Sequence, residues 1–558
     1  MLPVLRLFCL PLVLLLCAPV FAQPDVERAN REAQRLLLEE QQRLAREREQ
    51  LERRPRTEGA DLQPQTTEPA AASGCFAIRS VVLDGATQLD PADIEALTAA
   101  GRGDCISLAQ INAVMQAITN HYLVRGFTTT RVYLPEQDLS SGELRLLVLE
   151  GLIEGFGLEG EGVHLGTAFP GLEGKIFNLR DIEQGLDQIN RLRSNSATMD
   201  IEPGAVAGAS RVVVRNTPRK RWSVNLASDN TGSASTGRDL VSAALSLDNL
   251  LGINDFLNLS GRLNTDADRD SKLAQSLSLL YSIPYGYWTF TLTASEFDYV
   301  SQVRGSVTTF NTSGKSTNQA LRVDRVLFRD RDTKVSAVSN LTVKSARNFL
   351  NGTLLETSSR RLATVDLGVS ASTRTPGAFL SGDIAWVRGL DAFGALRDVP
   401  GQSPTAPRAQ FDKIVLNASA SGSVPVAGRA LTWVSSVSAQ RATDTLYGTE
   451  QFLIGGPFSV RGFRKFSISG DSGLWWRNEA AMPVTVGQTQ WRPFVGWDVG
   501  RISPDAGGPG GTLAGLTLGV GVNHGPFAAQ LSLSKPTVLP QRLGASDEYL
   551  FLRVSMDF

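Results

Sequence analysis

Arg461 is the residue whose setting most restricts its chemistry. It lies in Gly455-Gly456-Pro457-Phe458-Ser459-Val460-Arg461-Gly462-Phe463, where Gly-Gly-Pro interrupts helix and strand alike and Gly462 follows at once. Loops are usually polar, yet Phe458, Val460 and Phe463 here surround a single cation. That composition suits a segment that folds back into an interior. A guanidinium buried there requires a carboxylate, because an unpaired buried charge is very unfavourable. Asp498, in Phe494-Val495-Gly496-Trp497-Asp498-Val499-Gly500, is a candidate partner. On these residues alone, a surface hairpin loop with an exposed arginine is the alternative.

Other groups capable of chemistry point away from catalysis. Gly470-Asp471-Ser472-Gly473 matches the segment around the nucleophile of chymotrypsin-like proteases. A triad also needs a general base, and His121, His164 and His524 have no matching context, so the stretch is expected to be a turn. No two of the three histidines share ligand spacing, so no metal is expected. No glycine-rich loop cradles a phosphate, and no cofactor is implied. With 55 basic and 56 acidic side chains the chain carries no electrostatic footprint for nucleic acid. Trp288, Trp475 and Trp476 are expected to be membrane-interface aromatics rather than base-stacking platforms.

These residues must be held by several distinct units. Residues 1–22 have the form of a cleaved secretory signal: Arg6, an apolar run from Leu7 to Leu16, and Val20-Phe21-Ala22 before Gln23. The run is shorter than the ~20 residues of a spanning helix. Cys9 and Cys17 leave with it. Cys75 and Cys105 remain in an oxidising compartment and are expected to form a disulfide, no further ligand lying at metal spacing. Residues 23–54 form one helix of alternating charge. Its thin apolar stripe (Leu36, Leu37, Leu44, Leu51) leaves it polar nearly all round, so it suits a solvated tether or a polar cavity and cannot dock on an apolar core. Residues 55–74, rich in Pro, Thr, Ala and Gln, form a linker.

Residues 75–152 follow the order β-α-α-β-β: a strand at Phe76–Asp84, a helix capped by Asp90 with Pro91, a helix capped by Ser107, and strands at Thr128–Leu134 and Glu143–Glu150. Residues 153–217 repeat a similar order, with Asn178 capping a helix that carries Ile182, Leu186 and Ile189. Each unit offers a three-stranded sheet with an edge open to a partner strand. Over 218–558 helical periodicity disappears, and segments of about ten residues alternate apolar with polar. A secretory signal, this strand length and a terminal Phe558 ending an alternating strand together indicate a transmembrane antiparallel β-barrel. At ~20 residues per strand and connection it would have about 16 strands.

In this order the units resemble the outer-membrane transporters of two-partner secretion (TpsB), the FhaC/ShlB-like haemolysin secretion/activation branch of the Omp85 superfamily. The resemblance rests on the loop Gly455–Phe463, Asp229-Asn230-Thr231-Gly232 with Thr236-Gly237, Asp248–Asp255, Arg477-Asn478-Glu479 and Phe494–Gly500. Arg125-Gly126-Phe127 through Pro135-Glu136-Gln137-Asp138-Leu139, with Cys75 and Cys105, fits the first periplasmic POTRA domain. It implies a mainly β protein of the Gram-negative outer membrane: a barrel preceded by two α+β POTRA domains and an N-terminal plug helix. It further implies that Val460, Arg461, Gly462 and Phe463 fold into the lumen, where Arg461 meets Asp498 of the strand carrying Phe494 and Gly500. The POTRA domains would catch a secreted TpsA-type exoprotein, and a monomer in outer-membrane lipid would pass it through without ATP. An Omp85-type insertase and a passive porin or receptor are the alternative functions.

Overall fold

The computed structural model describes residues 23–52, 74–304, 308–464, 466–504, 508, 510–541 and 548–558. The signal expected at 1–22 and, apart from Gly74, the linker expected at 55–74 lie outside the described residues.

Ser107 starts the main helix of the first unit, Leu108–Val124, with a capping box: its side chain accepts from Gln110 N while the Gln110 side chain accepts from Ser107 N. Ile111, Val114 and Ile118 recur at helical spacing and are fully buried against Leu144, Leu146 and Val148 of strand Glu143–Leu149. That strand is central, parallel to Ser80–Asp84 and antiparallel to Arg131–Tyr133.

Two expectations need correction here. The strand expected over Phe76–Asp84 is broken at Arg79, and its first part, Cys75–Ile78, pairs with a further strand, Gly103–Ser107. Asp90 precedes the helix Pro91–Thr98 but makes no side-chain capping bond, so Pro91 alone marks that start. The Cys75–Cys105 disulfide joins these two strands, whose Cα atoms lie 4.9 Å apart at the bridge.

The second unit repeats the topology: Leu152–Glu159 runs parallel to Ala209–Asn216, which is antiparallel to Ala197–Pro203. Asn178 Oδ1 accepts from Arg180 N at the start of helix Leu179–Asn190, whose Ile182, Leu186 and Ile189 are buried with Val212 and Val214. The units abut where Leu179 N donates to Gly126 O at 2.9 Å.

Sixteen long antiparallel strands then close into a barrel. Closure is what a bilayer demands, since an open edge would leave unpaired backbone in hydrocarbon. Strand Trp222–Asp229 pairs with its successor Leu240–Asp248 and with the last strand, Tyr549–Asp557. The two-residue periodicity sorts side chains by face: along Thr489–Ile502, Val495 and Trp497 are exposed while Phe494, Asp498 and Ile502 are buried. The ring is uneven in strength. Strands Trp288–Arg304 and Thr309–Arg329 share seventeen register pairs, whereas the closing seam has five, Arg553–Asp557 against Asn225–Asp229.

The second α+β unit sits against one mouth. Gln184 and Gln188 donate to Gly286 O at 3.2 and 2.9 Å, Arg191 donates to Asn254 O at 2.8 Å, and Arg329 pairs with Asp187. These polar contacts fix the side of the barrel on which both units stand. Because the disulfide closes a 30-residue separation, reducing it should cost the first unit ~3–4 kcal/mol in the chain-entropy model. Limited proteolysis with and without reductant should show cleavage confined to that unit, with the barrel intact.

Candidate functional site: the lumenal loop

The connection between strands Arg429–Ala442 and Gly473–Ala481 does not leave the barrel. It forms a small hairpin, Phe452–Ile454 with Ile468–Gly470, and packs Ile454, Val460, Phe463 and Ile468 against Trp475, Ile502 and Leu513 of the wall. The apolar tips thus enter an interior. Trp475 is consequently inward and buried, beneath the Arg46 guanidinium at 4.7 Å from the ring centre, so it is not a membrane-interface aromatic. Its neighbour Trp476, one residue on and on the other face, is exposed and edge-on to Trp497; Trp288 is exposed as well.

Arg461 lies among carboxylates. Its Nε and Nη2 donate to Asp498 Oδ2 and Oδ1 at 2.7 and 2.8 Å, and its backbone N donates to Oδ2 at 3.0 Å. Nη1 donates to Glu479 Oε2 at 2.8 Å and Nη2 to Asn478 O at 3.0 Å. Asp498 is 0% exposed and Arg461 7%, so this planar, two-pronged pair replaces the water both groups have lost. Register explains the fit. Glu479 stands opposite Gly496 and Arg477 opposite Asp498. A Cβ on Gly496 would run into the Arg461 guanidinium, which fills the space that glycine leaves. Gly500 makes room in the same way, since a Cβ there would lie 2.9 Å from Val460 Cγ2. Gly462 has φ +99°, a left-handed conformation that favours glycine, and its Cβ would crowd the Lys535 backbone at 3.0 Å. Phe494 is buried with Arg492 over its ring.

Glu479 is a partner that the sequence presented without its role. Arg477-Asn478-Glu479 stood out as a motif, but only the register shows that its alternate positions share the face of Asp498. Glu479 also accepts from Arg492 at 2.8 Å, and Arg477 donates to Pro457 O at 2.7 Å, fastening the start of the loop.

The helix Gln23–Glu52 lies in the lumen between this loop and the wall. On the loop side, Gln42 donates to Leu453 O at 2.7 Å and Arg46 to Phe458 O at 3.3 Å. On the wall side, Arg35 donates to Ser233 Oγ at 2.9 Å and Arg43 to Ser276 Oγ at 3.1 Å. Its polarity does not exclude apolar docking, contrary to expectation. Ala33, Leu36 and Leu37 form a narrow stripe buried against Phe297, Tyr299 and Ala346. A cavity of about 70 Å³ remains between Glu39, Arg43, Ser233 and Phe458, room for only a few waters.

The remaining sequence candidates are dispersed. Ser472 Oγ accepts from Ala442 N, and Asp471 Oδ1 from Leu446 N. His121 lies in the first unit's helix, His164 caps the short helix Leu165–Ala168, and His524 sits beside Thr489 at a strand end. Among the described residues no cluster of His, Cys, Asp and Glu could hold a metal.

A sixteen-stranded barrel with two α+β units at one mouth, and a loop and helix folded into its lumen, is the architecture of an Omp85-type outer-membrane transporter. Family profiles agree: residues 208–522 match the haemolysin secretion/activation protein ShlB/FhaC/HecB, 76–151 a ShlB-type POTRA domain and 153–203 a POTRA domain. The chain belongs to the ShlB/FhaC/HecB family of the Omp85 superfamily, an outer-membrane barrel with periplasmic POTRA domains. It is 34% identical to the outer membrane transporter CdiB of Escherichia coli, over 100% of this chain and 95% of that protein. It is 33% identical to the hemolysin transporter protein ShlB of Serratia marcescens, over 90% of each. The solved structure of CdiB from Escherichia coli superimposes with a TM-score of 0.83 at 33% identity, covering 96% of this chain and 99% of that one.

Asp498→Asn and Gly496→Val should each displace the Arg461 guanidinium, one by removing its charge partner and the other by filling its space. Breaking a buried pair costs about 3–5 kcal/mol. The loop should become cleavable between Gly455 and Arg464 in the folded barrel, as mapped by limited proteolysis and mass spectrometry. The double variant should be little worse than either single one, because both act on one group.

Proposed function

We propose that this chain exports a TpsA-type exoprotein, a large β-helical haemolysin or adhesin, from the periplasm to the cell surface. The occupied lumen is the observation that carries this reading against a passive porin: helix Gln23–Glu52 and the loop around Arg461 fill the space that a diffusion pore keeps open. The relatives named as transporters support the same activity.

Cargo is caught at the POTRA sheets. Their edge strands, Ser80–Asp84 and Arg131–Tyr133 in the first and Leu152–Glu159 and Ala197–Pro203 in the second, can each accept an extended segment by backbone hydrogen bonding. Contacts of Gln184, Gln188 and Arg329 set the second unit against the barrel mouth, so captured chain is delivered beside the lumen. The helix must then leave. Val460, Arg461, Gly462 and Phe463 hold the loop to Phe494, Asp498 and Gly500, keeping one wall of the passage rigid while an unfolded chain passes. The periplasm holds no nucleotide supply, and the gain on folding outside drives export, because stacking β-solenoid repeats bury a continuous core. One barrel in outer-membrane lipid suffices, with apolar Leu516, Leu518, Leu531 and Leu533 facing the acyl chains.

Co-expression of the exoprotein encoded beside this gene, in cells with an outer membrane, tests the reading. Exoprotein should reach the medium only when this chain is present, and Arg461→Ala should abolish most of that release while the barrel still assembles. Periplasmic retention of the exoprotein with wild-type, correctly assembled barrel would refute this pairing of cargo and pore.

A further inference from the structure

A second set of buried charges holds the lumenal loop, eleven residues before Arg461. The short turn Gly448–Glu450 pushes the Glu450 carboxylate between two lysines of the wall. Lys413 Nζ donates to Glu450 Oε2 at 3.0 Å and to its backbone O at 2.9 Å, and Lys344 Nζ donates to Oε1 at 2.7 Å. Gln440 Nε2 donates to the same backbone O at 3.0 Å. Glu450 and Lys413 are buried, and Asp366 on the neighbouring strand, Arg360–Thr375, accepts from Asn340 Nδ2 at 2.9 Å. Just upstream, Tyr447 lies under the Arg360 guanidinium at 4.0 Å, and Leu446 packs with Val387 and Phe411.

The two sets of charges use different arcs of wall. Lys344 and Lys413 belong to strands Thr333–Leu350 and Asp412–Val426, the seventh and tenth long strands of the ring, whereas Glu479 and Asp498 belong to the twelfth and thirteenth. The loop is thus held to the wall at two points, Glu450 and Arg461. The helix contacts the fifth, sixth and seventh strands and also the Gly448–Glu450 turn. Gly448 touches the helix directly, since a Cβ there would run into the Gln34 side chain.

We propose that Glu450 is a positioning residue of the plug: clamped by Lys344 and Lys413, it presses the Gly448 turn onto Gln34 and keeps the helix seated in the pore. The inference rests on the reading of the helix as an occupant that vacates the lumen during export. It assigns a role to residues that belong to no motif in the sequence.

Conductance of the purified full-length protein in planar bilayers is the test. Glu450→Gln, which preserves shape and removes charge, should raise the conductance several-fold, while Glu450→Asp should stay near the parent. Gly448→Leu leaves the charges in place but crowds Gln34, and should open the pore likewise. In a variant lacking residues 23–52, already open, Glu450→Gln should add nothing. Parental conductance for both Glu450→Gln and Gly448→Leu, or an equal increase in the helix-deleted background, would overturn the proposal. If deleting the helix leaves conductance unchanged, the plug reading fails first and takes the clamp's role with it. That outcome is distinct from a clamp that does not control a working plug.

Discussion

A guanidinium cannot rest unpaired in the interior of a protein, and the order of this lumen follows from that constraint. Arg461 enters because Gly496 leaves a space of its shape and because Asp498 and Glu479 border that space on adjacent strands. Once it is bound, Val460 and Phe463 on either side of Arg461-Gly462 are carried into the cluster with Ile502 and Leu513. The segment before them is then positioned to accept Gln42 at Leu453 O and Arg46 at Phe458 O. Charge places the loop, and apolar packing makes that placement unique.

The barrel and its periplasmic units are joined by polar contacts rather than by an apolar core. Gln184, Gln188 and Arg191 reach backbone carbonyls of the barrel's turns, Arg329 of the barrel pairs with Asp187 of the second unit, and Asn254 returns a bond from the barrel to His164 O at 2.7 Å.

Much of this was legible in the sequence where local rules dominate. Ser107 and Asn178 cap helices because their side chains satisfy free amides one turn in, whatever the tertiary setting. Strand alternation revealed the barrel because lipid on one face and lumen on the other impose a strict period of two. Strand Gly103–Ser107 was not legible: five residues with one partner strand carry no periodic signal. Trp475 was misassigned because a tryptophan pair has one member on each face, and only the filling of the lumen tells which member is buried. Lys344, Lys413 and Glu450 escaped, and Glu479 was seen without its role, because their meaning lies in contacts between residues far apart in the chain. A carboxylate in a loop of 30 residues could have met any wall.

The seam bears on the timing of assembly. The first strand closes on the last, Tyr549–Asp557, and the terminal Phe558 exchanges backbone hydrogen bonds with Val224. No ring can exist until that last strand has arrived. Both clamps on the loop, however, draw on strands that lie within one uninterrupted arc, from the seventh to the thirteenth. The interior can therefore be furnished while the sheet is still an open trough. The weakest joint is then left to shut last, around contents already in place.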